Sequence, residues 1–139
     1  MKIEDMIKKY VESCRSAVRY GEQIAEFLAD IIRNVVSDID WSVGWYEAGI
    51  NTICFYSKSK DVWIVSKMTR KLQEETGKDY IECSETVLRE KVVRLEDVIY
   101  MVFPELKFHI ECPYGVYLTK EEAERLKKLL LEAKVMKNE

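Results

Sequence analysis

The feature that most constrains this chain is its opening, where Ile3, Ile7, Tyr10, Cys14, Ala17, Gly21, Ile24, Leu28, Ile31 and Val35 recur at alternating intervals of four and three. An α-helix returns such positions to one side, so the spacing predicts one long helix with an apolar seam. Val11, Val18, Ala25 and Ile32 widen the seam to the breadth of a helix laid on a core. Cys14, Ala17 and Gly21 are small, which lets another backbone approach; Gly21 alternatively marks a kink, since glycine inside a helix costs about 1 kcal/mol relative to alanine. A helix of about 33 residues is about 50 Å long, whereas a strand of five or six residues spans under about 20 Å. One sheet cannot cover such a helix. The expectation is therefore self-association as a homodimer through the N-terminal helix, with a kink at Gly21 as the monomeric alternative.

After Asp38 the period changes to two. Trp41, Val43 and Trp45 alternate with Ser42, Gly44 and Tyr46, a turn follows at Ala48-Gly49, and residues 51–56 read as a second, antiparallel strand. Residues 58–61 form a polar turn, and Val62-Trp63-Ile64-Val65 is β-branched and aromatic enough for a third strand. A helix from Asp61 is the alternative, because Val65, Met68 and Leu72 also fit helical spacing; the preferred reading is a strand to about Ser66 and then a short helix closed by Gly77. Residues 79–83 read as a fourth strand. Leu88, Val92, Leu95, Ile99 and Val102 keep the four-three rhythm of a helix that Pro104 ends. Residues 107–112 make a fifth strand, Pro113-Tyr114-Gly115 turns the chain, and Thr119-Lys120-Glu121-Glu122 is a capping box opening a last helix with Ala123, Leu126, Leu130 and Ala133 inward. The expected fold is α+β in the order α-βββ-α-β-α-β-α: a mainly antiparallel sheet of about five strands, with the long N-terminal helix and the C-terminal helix packed on it. Length and the lack of a Gly-, Pro- or Ser-rich linker give a single domain over residues 1–139.

Composition narrows the setting. No window approaches the ~18 consecutive apolar residues of a membrane span, and the charged start departs from a signal peptide, so a cytoplasmic protein without a membrane partner is expected. Cys14, Cys54, Cys83 and Cys112 include no C-x-x-C pair and read as buried free thiols. Abundant Glu and Lys beside only two glutamines, Gln23 and Gln73, point to a thermophile source. A net charge of -3 argues against a grip on nucleic acid by the whole surface and leaves local basic patches open.

Three constellations could carry chemistry. Ile-Glu-Cys occurs at 81–83 and 110–112; on neighbouring strands Glu82, Glu111 and the single histidine, His109, would share a face fit for acid-base work, or be ordinary charges on a solvated sheet. Aromatic residues concentrate at Trp41, Trp45, Tyr46, Phe55, Tyr56 and Trp63. They read first as core beneath the long helix and secondly, led by Trp41 and Trp45, as a platform for a planar ligand or bases. Lys58, Lys60, Lys67, Arg70 and Lys71 form the one basic run, a solvated face or a set of phosphate contacts. The common nucleotide, hydrolase and zinc-protease motifs are missing, so no cofactor or metal is assigned.

The element order α-βββ-α-β over residues 1 to about 84 resembles the core of restriction-endonuclease-like nucleases, whose pattern is an Asp on the second strand and Glu-x-Lys on the third. Here Val65-Ser66-Lys67 keeps the lysine, but Val65 and Asn51 stand where carboxylates would hold Mg²⁺. The run from Pro113 to Glu122 resembles the strand-to-helix turn of GAF-like sensory domains. The function expected is a non-enzymatic binding or regulatory module acting as a homodimer. Its alternatives are a nucleic-acid-processing enzyme or inactive nuclease-like nucleic-acid-binding protein, and a ligand-sensing domain.

Overall fold

A computed structural model describes residues 2–45, 51–106 and 108–136, apart from the side chains of Tyr10, Cys14, Arg15, Ser16, Ala17, Trp45, Asn51 and Met136. The turn expected at Ala48-Gly49 lies outside the described residues. Helix α1 runs without a break over Ile3–Ile32. Its second half follows the seam inward: Ala25, Leu28, Ala29 and Ile32 are fully buried. Gly21 serves close approach rather than a kink, because a Cβ there would lie 3.0 Å from Val43 Cγ1 and 3.2 Å from Phe108 Cε1. The described apolar side chains of the first half have no such cover. Ile3 is 69% exposed and Ile7 57%, with Met6 and Val11 exposed beside them.

Strand β1 (Asp40–Trp45) pairs antiparallel with β2 (Asn51–Tyr56), placing Val43 opposite Ile53. Beyond β2 come helix α2 (Val62–Thr76), helix α3 (Tyr80–Thr86) and a π-helical turn (Val87–Lys91). The chain continues through the short strand β3 (Val92–Arg94), helix α4 (Leu95–Val102), strands β4 (His109–Glu111) and β5 (Tyr117–Thr119), and helix α5 (Lys120–Met136). β4 joins β2 in parallel, with Ile110 opposite Ile53, and β3 pairs antiparallel with β5. The fold is α+β, but the expected five-stranded sheet is two small sheets, β1-β2-β4 and β3-β5.

Ile53, Phe55 and Ile110 face Leu28, Ile32, Leu95, Ile99, Leu126 and Leu130 in the main core. A smaller cluster of Val65, Val87 and Val92 lies under α2. Tyr100 ties α4 to β4, its hydroxyl accepting the Ile110 N–H at 2.6 Å. Among the described residues Cys54 and Cys83 are buried and Cys112 is half-buried, and no disulfide joins them.

Several expected elements change. Residues 62–65 begin α2 instead of forming a third strand: the Asp61 carboxylate accepts the Trp63 N–H at 3.0 Å as an N-cap, and Val65, Met68 and Leu72 supply the inner face. With that strand gone, the nuclease-like element order no longer applies. The expected fourth strand over 79–83 is likewise replaced by helix α3 from Tyr80, because Asp79 caps the Glu82 N–H at 2.8 Å, and Ile81 is 73% exposed. The single helix expected over 84–103 is interrupted where Val92 turns extended (φ -131, ψ 157), so β3 can pair with β5 before α4 restarts. α1 ends at Ile32, before the expected Val35. Gly77, by contrast, sits at φ 73 as the α2 C-cap, where the missing Cβ removes the strain of the left-handed region.

Candidate binding face

Helix α2 is built as a two-faced element. Val65 and Thr69 are buried, and the Thr69 hydroxyl returns to the Val65 carbonyl at 2.7 Å, so this side is closed by packing and satisfied polar groups. At 100° per residue, Trp63, Lys67 and Arg70 fall on the opposite side within about one-sixth of a turn of each other or closer. Trp63 is 65% exposed, and Lys67 and Arg70 are exposed. Neither cation forms an ion pair with a described residue. The exposed Lys71 flanks them, and Glu74, one turn further on, marks where the cationic stripe ends.

A second aromatic borders this stripe. The Tyr80 hydroxyl lies 3.4 Å from Ser66 Oγ, which sets the half-exposed Tyr80 ring beside α2, and Ile81 follows at the surface. Fixed cations next to exposed aromatic faces suit a flexible polyanion that carries planar groups: phosphates meet the charges and bases stack.

Lys67 and Arg70, expected as binding residues, lie on this face, and the other expected residues lie elsewhere. Trp41 is half-buried against the main core. The side chain of Trp45 lies outside the described residues. Lys58 is exposed, and its backbone N–H donates to Asp38 at 2.9 Å. Lys60 is no free cation, because its Nζ contacts both carboxylate oxygens of Glu122 at 2.8 Å. His109 and Glu111 share a face of β4, as alternation requires, but Glu82 belongs to α3, where it sits 3.8 Å from Lys78. Among the described residues no group of three His, Cys, Asp or Glu side chains could hold a metal ion.

Trp63 is the exposed aromatic of this face that sequence reasoning did not place at the surface. Reading 62–65 as a strand put Trp63 in the core. The signal that identifies it is Asp61 as an N-cap, which makes Trp63, Lys67 and Arg70 one helical face. No protein-family model, curated protein or solved structure matches the chain. No helix among the described residues is long and apolar enough to cross a membrane.

Proposed function

We propose that the protein is a non-enzymatic binding module, a cytoplasmic homodimer joined along the first half of α1, which holds single-stranded nucleic acid on the outer face of α2. The observation that carries this reading is the alignment of exposed Trp63 with the unpaired Lys67 and Arg70. Stacking tolerates any base, so such a face grips strands without reading sequence. The net charge of -3 limits the affinity, and the few phosphate contacts open to Lys67, Arg70 and Lys71 give it a modest salt dependence. Glu82 lies on helix α3 and not on a strand paired with that of His109 and Glu111, which supports a binding role over a catalytic one. Exposed Ile3, Met6, Ile7 and Val11 continue the seam that the second half of α1 buries in its own core, and a second copy offers the same uncharged stripe in return. The Glu and Lys bias supports a heat-adapted source.

Fluorescence anisotropy with labelled single strands and duplexes of unrelated sequence tests the reading. Single strands are expected to bind better than duplex, with an affinity that falls as salt rises. No binding at tens of micromolar protein in low salt, or a preference for duplex, would contradict it and leave the patch as a protein-contact surface.

A further inference from the structure

A cleft of about 380 Å³ opens between the start of α2, the turn that precedes β5 and the start of α4; its functional lining is Val62, Arg94, Glu96, Cys112, Tyr114 and Tyr117. Backbone bonds fix its frame. The Val62 N–H donates to the Tyr114 carbonyl at 3.0 Å, the Tyr117 N–H to the Lys60 carbonyl at 2.8 Å, and the Leu95 N–H to the Val116 carbonyl at 3.0 Å. Gly115 is required twice over: it sits at φ 73, and a Cβ there would lie 2.5 Å from the Tyr117 ring. That ring is thereby held against the turn as one wall.

The charges in this cleft are arranged unusually. Glu96 is half-buried, and the Cys112 thiol lines the cleft with it. Burial, aided by nearby Asp97, holds the Glu96 carboxyl above its usual range despite the thiol, its own backbone N–H and Arg94. Arg94 and Glu96 line the same cleft, yet no ion pair joins them. A simple anion would use Arg94 and meet Glu96 with like charge. A simple amine would do the reverse. A neutral planar molecule would stack on the tyrosines and engage neither charge. A zwitterion whose two charges are a few ångströms apart satisfies both, its carboxylate on the planar guanidinium and its ammonium on the carboxylate. The tyrosine rings then receive whatever side chain it carries.

We infer that this cleft is a binding site for a free α-amino acid, with Arg94 taking the α-carboxylate, Glu96 the α-ammonium, and Tyr114 and Tyr117 the side chain. The site is separate from the α2 face and does not rest on the nucleic-acid reading. Saturation-transfer NMR on the full chain, with each standard L-amino acid at about 1 mM, tests it directly. One or more are expected to bind, and both the N-acetyl form and the carboxamide of each binder should bind at least about tenfold more weakly. Arg94→Gln and Glu96→Gln should each weaken binding to a similar extent while leaving oligonucleotide affinity unchanged. The inference is overturned if no amino acid binds, if the blocked forms bind as well as their parents, or if folded variants at both positions bind like the wild type. The blocked ligands make that decision on the wild-type protein even where a variant does not fold.

Discussion

Lys60 Nζ lies 2.8 Å from both carboxylate oxygens of Glu122, and the same carboxylate accepts the Thr119 N–H at 2.9 Å. One acidic residue thus completes the capping box of α5, whose other bond runs from the Glu122 N–H to Thr119 Oγ1 at 3.2 Å, and anchors the loop that leads into α2. Both side chains are mostly buried, so removing either leaves the other poorly solvated. Lys60→Ala is expected to destabilise the protein by about 1–3 kcal/mol in urea unfolding at neutral pH. A change within about 0.3 kcal/mol would show that the pair is replaced by water at no cost, as many exposed pairs are.

Asp38 gives the fold an acid-sensitive staple. Its carboxylate accepts the Ser57 and Ser59 hydroxyls at 2.7 Å and the Lys58 and Ser59 N–H groups at 2.9 Å. Burial pushes this carboxyl up, but the Ser59 N–H and the other three donors outweigh it and bring it from 3.8 to about 2. Because the folded value is the lower one, the contribution is complete above the unfolded value and lost as pH falls from about 4 toward 2. Asp38→Asn should cost about 1 kcal/mol at pH 7, a modest figure because the site is solvent-exposed. The variant should also lose less stability than the wild type between pH 5 and pH 2.5, measured by urea midpoints. Parallel acid limbs for the two proteins would remove Asp38 from this role.

What the sequence made legible follows from how far each pattern reaches. The α1 seam spans eight turns and the α5 capping box is a local four-residue rule, and both stand in the structure. Residues 62–65 were ambiguous because four β-branched or aromatic residues fit either period; the deciding atom was the Asp61 carboxylate at Trp63 N. The rhythm from Leu88 to Val102 misled because Val92, Leu95, Ile99 and Val102 are all buried, yet β3 and α4 bury them separately. The antiparallel β1-β2 pair was legible in its alternation and stands, whereas the division into two sheets was not, since the three-residue strands β3, β4 and β5 carry almost no alternation. The α2 face was half legible: its cations were visible as a run, and its tryptophan was assigned to the wrong element.

The free half of α1 predicts association. Light scattering at micromolar concentration should give about 33 kDa, twice the 16.4 kDa chain. Ile7→Glu, on the exposed part of the seam and remote from the buried Ala25 to Ile32 stretch, should shift the mass to that of one chain while far-ultraviolet circular dichroism stays close to wild type. A wild-type mass of 16.4 kDa across that range would show that the exposed seam has no second copy.

The central claim is that Trp63 on α2 stacks with bases beside Lys67 and Arg70. Its most direct measurement is the affinity of one labelled single strand for the wild type, Trp63→Ala and Trp63→Phe, by anisotropy at fixed low salt. Because a base-aromatic stack contributes about 1–3 kcal/mol, Trp63→Ala should bind at least about fivefold more weakly, with Trp63→Phe between it and the wild type. Equal affinity for all three folded proteins would contradict the account, whatever the salt dependence of the binding.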